Sequence, residues 1–238
     1  MNLAVDYGNS SAKVAIFDQH ELKEKHTFTK PDDLKNFLEG SSAENFIISS
    51  VNAEAETVSQ ASKAKNKFVL SYTLPLPVKI LYATPQTLGV DRIAGSCGAL
   101  QLFPVQNTLV IDAGTCITYD FTDSNGQYYG GSISPGLKMR FQAVHTFTAR
   151  LPLVNPAENP ELIGTSTETS IQSGIVNGTV AEIDGIISRY QQKYPDLQVI
   201  LCGGDGPFFE NKLKAAIFAS PDLVLIGLNS VLIHNVRL

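Results

Sequence analysis

The chain has little cysteine and histidine, and this scarcity limits the chemistry that it can carry. It contains 3 cysteines and 4 histidines among its 238 residues. None of them has a second ligand at the spacing of a zinc site, so we expect neither a structural nor a catalytic zinc. An odd number of cysteines in apolar surroundings predicts reduced thiols.

The sequence also lacks clusters of positive charge and long apolar runs. Its formal net charge is −5, and no segment concentrates lysine or arginine. We therefore expect no nucleic acid as the main ligand and no binding to a membrane. Asp6 comes too early for the apolar core of a signal peptide, and polar residues interrupt the apolar run from Leu223 to Ile233. These absences predict a cytoplasmic protein.

Two common catalytic motifs are missing as well. The chain has neither the Gly-Lys-Ser/Thr of a P-loop nor the Gly-x-Ser-x-Gly of a nucleophile elbow. It can nevertheless bury a substantial core, because 43% of its residues are hydrophobic and only 17% are charged. If the protein binds ATP, a structure other than a P-loop must hold the phosphates.

The most informative pattern that is present is an internal repeat. The segment from Leu3 to Ser10 is echoed 106 residues later by the segment from Leu109 to Cys116. In each copy an apolar run ends at an aspartate, Asp6 or Asp112, and a glycine follows two residues later. A single Asp-x-Gly is an ordinary hairpin turn. Two copies in the same context favour a pair of hairpins that clamp a nucleotide, since glycine lets the backbone approach phosphate and aspartate can hold a hydrated cation.

The halves share an order of elements. Strands are predicted at about 2–7, 12–18 and 22–29, and again at 107–112, 116–122 and 127–133, each set being followed by alternating helices and strands. A long helix is expected from Glu168 to Tyr194, and a strand from Leu223 to Ile226 precedes a terminal helix. The pattern predicts an α/β fold of two duplicated domains, residues 1–106 and 107–238. We expect each domain to contain a mixed five-stranded sheet flanked by helices, with a nucleotide cleft between the domains.

A glycine and two charged residues mark the start of a predicted helix that runs to Phe103. Asp91 in its first turn is an ordinary complement to the helix dipole. The functional alternative uses both charges of the segment Gly89 to Arg92. Asp91 would accept the proton of a substrate hydroxyl, while the guanidinium of Arg92 would bind a carboxylate.

Three further segments are open to two interpretations each. The segment Gly130 to Gly136 predicts either a bulge or a close approach of backbone to a ligand. In the segment Gly164 to Glu168, Thr167 is a candidate both for a helix N-cap and for a ligand contact. The segment Leu201 to Gly206 is either a plain strand-to-helix turn or a place for adenine or ribose.

In this order the segments resemble one family, the type III pantothenate kinases of the actin-like ATPase superfamily, which also includes acetate and sugar kinases. The resemblance extends from Leu3 to about Leu228. It is carried by Asp6–Ser10, Gly89–Arg92, Asp112–Thr115, Gly130–Gly136, Thr148–Pro152, Gly164–Glu168, Cys202–Gly204 and Asp222–Leu228. Each motif is weak by itself, whereas the ordered series is specific.

The resemblance implies phosphoryl transfer from ATP to the primary hydroxyl of pantothenate, the first step towards coenzyme A. It implies that Asp91 is the general base, that Asp112 binds a monovalent cation, potassium or ammonium, and that the protein is a homodimer. Mg²⁺ would arrive on the phosphates of ATP, and Asp6 would hold it directly or through water. The implied nucleotide residues are Asp6, Tyr7, Gly8, Asn9, Ser10, Ser11, Ala12, Lys13 and Thr115. The implied pantothenate residues are Tyr82, Gly89, Val90, Asp91, Arg92 and Thr167.

Two other functions compete with this interpretation. One is a different actin-like phosphotransferase that acts on a sugar or on polyphosphate, and the other is a non-catalytic regulator on the same scaffold. The Gly-x-Asp-Arg helix start suits an alcohol that carries a carboxylate better than it suits a neutral sugar. A regulator would not need Asp6, Asp91, Arg92 and Asp112 together, and this chain has all four.

Overall fold

The structure, a computed structural model, describes residues 1–8, 11–50 and 55–238. They form two compact units, neither of which is continuous in sequence. The first unit comprises Met1–Val105, Thr122–Tyr129 and Asp222–Leu238, and the second comprises Gln106–Phe121 and Gly130–Pro221. The predicted domains, residues 1–106 and 107–238, were defined by the sequence repeat and not by contacts in space. They stay a prediction.

The strands and helices have the following bounds. The strands are β1 (Asn2–Tyr7), β2 (Ala12–Asp18), β3 (Glu21–Phe28), β4 (Asn45–Ser50), β5 (Asn66–Val69), β6 (Lys79–Ile80), β7 (Thr108–Ala113), β8 (Cys116–Thr122), β9 (Gln127–Pro135), β10 (Gln198–Cys202) and β11 (Phe218–Ala219). The helices are α1 (Pro31–Gly40), α2 (Ala55–Ala61), α3 (Val90–Leu102), α4 (Leu137–Thr146), α5 (Thr167–Lys193), α6 (Gly206–Glu210) and α7 (Leu223–Val236).

The two sheets repeat one strand order. The first sheet has the order β3-β2-β1-β4-β5, and the second, followed from β9, has the order β9-β8-β7-β10-β11. In the first sheet β1 is antiparallel to β2 and parallel to β4, and in the second β7 is parallel to β10. The central strands β1 and β7 are apolar runs that are buried on both faces, as parallel pairing under helices requires. The predicted duplicated α/β fold is therefore confirmed.

The second sheet has six strands, so the prediction of five in each sheet is wrong by one. The additional strand is β6, which runs parallel to β9 with Lys79 opposite Gln127. The backbone N–H of Lys79 donates to the carbonyl of Gly126 at 2.8 Å. A two-residue strand that follows a proline-rich passage has too little alternation to be predicted from sequence.

An asparagine ladder fixes the register of the first sheet. Asn2, Asn45 and Asn66 are the first residues of β1, β4 and β5, and they stand opposite one another. The amide of Asn66 donates to Asn45 and that of Asn45 to Asn2, both at 2.8 Å, while Asn2 donates to Asn229 of α7 at 2.9 Å. A slip of one residue would break these bonds and leave buried amides unsatisfied.

The strand predicted from Leu223 to Ile226 is wrong, because these residues form the start of α7. The helix is apolar on several faces and is largely buried from Leu223 to Leu232. Such a run has no polar face, and its periodicity cannot distinguish a buried helix from a buried strand. By contrast, the long helix α5 matches its prediction to within a residue at each end.

Helices α3 and α7 approach each other closely through glycine. A Cβ atom on Gly227 would overlap the carbonyl of Ala94, and one on Gly98 would overlap the carbonyl of Leu223. Both obstacles are helix backbone, which cannot rotate away as a side chain can. The position of α3, whose first turn contains Asp91, therefore depends on the absence of side chains at this crossing.

We expect Gly227→Ala to destabilise the protein by about 2–3 kcal/mol, since the new methyl group must push the two helices apart. Gly178→Ala in α5 is the matched control, because nothing lies within 4 Å of its new Cβ. Alanine is the better helix former, so the control should be stabilising by up to about 1 kcal/mol. Urea unfolding measures both changes, and equal midpoints for the two variants would contradict the close crossing.

Candidate active site

The first Asp-x-Gly hairpin joins β1 to β2 in the first unit. Asp6 stands opposite Lys13, and the N–H of Gly8 donates to the carbonyl of Ser11 at 3.1 Å. The Gly8 amide is thus used within the turn. Of the other predicted nucleotide residues, Tyr7 and Ser11 are half-buried, Ala12 is buried, and Asn9 and Ser10 lie outside the described residues.

The carboxylate of Asp6 is held by a residue that the sequence analysis missed. Ser49 lies opposite Asp6 in the parallel β1–β4 pair, and its hydroxyl donates to Oδ1 of Asp6 at 3.0 Å. Burial raises the pKa of the Asp6 carboxyl, the charge of Asp91 adds to the rise, and Ser49 and Lys13 oppose it. Asp6 and Asp91 therefore influence each other electrostatically. A polar residue at the end of a buried strand was the signal that would have identified Ser49.

Asp91 lies in the first turn of α3, and Gly89 is the N-cap. Oδ1 of Asp91 accepts the N–H of Arg92 at 2.9 Å, so the carboxylate does complement the helix start. Its second oxygen, Oδ2, is the atom that could meet a substrate hydroxyl. A Cβ on Gly89 would lie 2.5 Å from Oδ1, so only glycine leaves room for the carboxylate in this position.

Arg92 and Tyr82, both predicted as substrate residues, come together in the first unit. The Arg92 guanidinium carbon lies 5.9 Å from the centre of the Tyr82 ring, and the Tyr82 ring lies 6.3 Å from that of Tyr128. Arg92 is 8% exposed. The aromatic surface restricts the guanidinium to few orientations, which favours binding of a planar carboxylate. Val90, between Gly89 and Asp91, is half-buried.

In the second unit Asp112 lies near the end of β7, opposite Cys202 of β10. Gly203 follows with a φ of 90°, and a Cβ there would overlap the carbonyl of Ala113 and Oδ1 of Asp112. Only glycine can therefore pack against these two oxygens, a carboxylate and a carbonyl that lie close together. Carboxylate and carbonyl oxygens suit an alkali cation, so these residues fit the implied potassium or ammonium ion.

The second hairpin is one residue tighter than the first. The N–H of Gly114 donates to the carbonyl of Cys116 at 2.9 Å, which makes Cys116 the counterpart of Ser11. Thr115 is the exposed residue between them. The N–H of Gly136 donates to the carbonyl of Thr115 at 3.1 Å, and a Cβ on Gly136 would overlap the carbonyls of Gly114 and Thr115. Gly136 therefore makes a close approach to this hairpin.

The interpretation of Thr167 as the N-cap of α5 is wrong, and its contact with a ligand stays a prediction. Ser166 is the N-cap, and it exchanges hydrogen bonds with Thr169 in a capping box. Thr167 is the first residue of the helix and is exposed. Its hydroxyl is not needed for the cap.

Within the described ranges no three His, Cys, Asp or Glu side chains are grouped as a metal site requires. A magnesium ion would therefore take most of its ligands from ATP and water. The carboxylate of Asp6, which accepts the hydroxyl of Ser49, would be the ligand from the protein. This oxygen donor set fits the implied Mg²⁺.

Among the described helices, none has the length and apolar character to cross a bilayer.

Comparisons with known proteins agree on one family. A model of the type III pantothenate kinase family matches residues 2–189. A type III pantothenate kinase of Christiangramia forsetii is 45% identical over 240 residues, which cover 99% of this chain and 99% of that one. A type III pantothenate kinase of Bacteroides fragilis is 46% identical, with 99% of this chain and 98% of that one covered.

Solved structures share the fold. A Campylobacter jejuni protein described as a Baf family transcriptional activator gives a TM-score of 0.65 at 25% identity, covering 99% of this chain and 100% of that chain. A glucokinase from an Antarctic psychrotroph gives a TM-score of 0.55 at 11% identity, with 98% of each chain covered. At that identity the glucokinase shows a common actin-like fold and no more.

Proposed function

The chain belongs to the type III pantothenate kinase family, and we propose from this membership and from the site that it transfers the terminal phosphoryl group of ATP to the primary hydroxyl of pantothenate. The product is 4′-phosphopantothenate, so the reaction is the first step of coenzyme A biosynthesis. The observation that carries the proposal is the arrangement at the start of α3. There Asp91, in the first turn of the helix, is followed directly by Arg92, whose guanidinium lies over the ring of Tyr82.

Asp91 is the general base in this proposal. Its Oδ2 accepts the proton of the pantothenate hydroxyl as the oxygen attacks phosphorus, while Oδ1 stays bound to the N–H of Arg92. A loose transition state removes this proton late, so a carboxylate suffices. Arg92 binds the pantothenate carboxylate with its planar guanidinium. Tyr82, Gly89, Val90 and Thr167 are the proposed further contacts of pantothenate.

The nucleotide is assigned to the two hairpins. The proposed contacts are Asp6, Tyr7, Gly8, Asn9, Ser10, Ser11, Ala12 and Lys13 of the first hairpin and Thr115 of the second. The ammonium group of Lys13 opposes phosphate charge, and Asp6 holds Mg²⁺ directly or through water. When bound, Mg²⁺ neutralises negative charge on the phosphates. The catalytic role of these residues is mainly to position the reactants.

We assign a potassium or ammonium ion to Asp112. The support is the pair of oxygens, Oδ1 of Asp112 and the carbonyl of Ala113, that lie close together beside Gly203. A cation there would offset the charge of Asp112 and of an adjacent phosphate.

A cytoplasmic homodimer is the proposed state of the enzyme. Large apolar side chains of the second unit are exposed, and Phe147 is the most exposed of them at 86%. The others are Ile133, Met139, Leu153, Leu162, Ile163 and Phe218. An interface between two copies of the chain would remove such side chains from water. The cytoplasmic location is supported by ATP as substrate and by Cys97, Cys116 and Cys202, which are not joined in disulfides.

The likeness to a protein described as a transcriptional activator keeps a regulatory function as the second candidate. Release of ADP by the purified protein with ATP, Mg²⁺ and pantothenate distinguishes the two. Pantothenate-dependent release establishes the kinase, whereas binding of ATP without release favours the regulator or a different acceptor.

We expect Asp91→Asn to lower turnover by about 10²–10⁴-fold and to leave ATP binding intact, because only the base is lost. Asp32→Asn, which changes an acid in the first turn of α1, is the control and should keep full activity. Gly89→Ala should also lower turnover while it preserves folding, since its Cβ displaces a side chain rather than backbone. Normal steady-state turnover in Asp91→Asn would remove this residue from the base role.

Asp112→Asn should abolish the stimulation of ADP release by potassium relative to sodium, because the amide has no charge to hold the ion. Asp196→Asn, an exposed site of the same unit, provides the same change of charge and should respond to potassium like the parent. Continued potassium stimulation in Asp112→Asn would place the cation elsewhere.

Phe147→Ser should convert the dimer to a monomer by removing an apolar anchor of the proposed interface. Val105→Ser is a control of comparable exposure in the first unit, at 78%. Light scattering after gel filtration gives the mass of each variant. A Phe147→Ser protein that stays dimeric at low micromolar concentration would exclude this surface.

A further inference from the structure

Arg140 of α4 binds the strand end that precedes its own helix. Its Nε donates to the carbonyl of Pro135 at 2.8 Å, and its Nη2 donates to the hydroxyl of Ser134 at 2.7 Å. The guanidinium thus links α4 to the end of β9 across the turn between them. In the sequence, Arg140 had no feature that separates it from a solvated helix residue.

Glu182 of α5 holds Arg140 in this orientation. Nη2 of Arg140 donates to Oε2 of Glu182 at 2.7 Å, and the hydroxyl of Tyr119 donates to Oε1 at 3.2 Å. The Arg140 and Glu182 side chains are only 21% and 29% exposed. Burial by itself would raise the pKa of Glu182, but the bonds from Arg140, Ser134 and Tyr119 outweigh it and lower the pKa. The carboxylate therefore stays ionised at neutral pH.

The strand end that Arg140 binds packs directly against the second hairpin. Gly136 follows Pro135, and its N–H donates to the carbonyl of Thr115 at 3.1 Å. The backbones are so close that a Cβ on Gly136 would overlap the carbonyls of Gly114 and Thr115. Displacement of residues 134–136 must therefore move the Thr115 turn or break this bond.

We propose that Arg140 is a positioning residue for nucleotide binding, which acts through the segment Ser134–Gly136 on the turn that presents Thr115. The inference rests on the proposed function, because it takes Thr115 as a nucleotide contact. Arg140 itself does not touch substrate in this scheme. Its part is to hold the hairpin in the binding geometry before ATP arrives, which reduces the entropy lost on binding.

The scheme requires arginine specifically. One planar guanidinium satisfies a backbone carbonyl, a hydroxyl and a carboxylate at once, whereas the ammonium group of lysine is a single point of attachment. Arg140→Lys should therefore retain part of the constraint, and Arg140→Met should lose it. The three residues at this position form a graded series.

The test compares the Kd of Mg·ATP, measured by calorimetry without acceptor, with the KM for ATP and for pantothenate. Arg140→Met should weaken ATP binding about tenfold, with Arg140→Lys between it and the parent, and leave the KM for pantothenate unchanged. Arg189→Met, an exposed arginine of α5, is the control and should leave all three constants unchanged. Ser134→Ala should add little to Arg140→Met, because both act through the same segment.

A solely structural role would lower the unfolding midpoint without this selective loss for ATP. Unchanged ATP affinity in a folded Arg140→Met or Arg140→Lys protein, or an equal rise of both KM values, would overturn the proposal. If Arg140→Met does not fold, the ATP affinities of the Arg140→Lys and Ser134→Ala proteins test the proposal instead. The binding measurement needs no pantothenate, so a parent protein that binds ATP but releases no ADP refutes the proposed function and still tests Arg140.

Discussion

Parallel pairing of β1 with β4 and of β7 with β10 fixes where Asp6 and Asp112 lie, and the rest of each unit depends on that register. Asp6 meets the hydroxyl of Ser49 because β1 and β4 are aligned from their first residues, where Asn2 stands opposite Asn45. The same alignment between β7 and β10 brings Asp112 next to the turn at Gly203. One strand register thus places both the asparagines at one end of the first sheet and the carboxylate of Asp6 at the other end.

Duplication supplied the same hairpin twice, and small differences suit the copies to different tasks. The first has a lysine opposite its aspartate and a serine on the neighbouring strand. The second has a shorter turn with Thr115 at its tip and a glycine, Gly203, that packs closely against Asp112. In the proposed mechanism the first copy contacts phosphate and magnesium, and the second contacts the nucleotide through Thr115 and the monovalent cation through Asp112. A single backbone pattern therefore serves two kinds of charge neutralisation.

Local signals made much of this predictable. Strong turn residues delimit β1 and β2, and the segment Gly164–Glu168 precedes α5, so those boundaries could be predicted from the sequence, although the N-cap is Ser166 and not Thr167. The helix start at Gly89 to Arg92 was recognised because its charges are adjacent in the chain. Ser49 and Arg140 were missed because their roles arise from strand register and from bonds to distant residues such as Glu182. The character of α7 was misjudged because burial on several faces removes the periodicity that identifies a helix.

The membership of α7 in the first unit has a consequence for how the chain is made. This unit takes residues up to Val105, then Thr122–Tyr129, and finally Asp222–Leu238. Leu225, Leu228, Val231 and Leu232 of α7 belong to its core, together with Ile93 and Cys97 of α3. A ribosome adds these four residues of α7 after the whole of the second unit. The first unit therefore cannot complete its core first, as vectorial folding usually allows, and its incomplete core stays exposed while residues 106–221 are made.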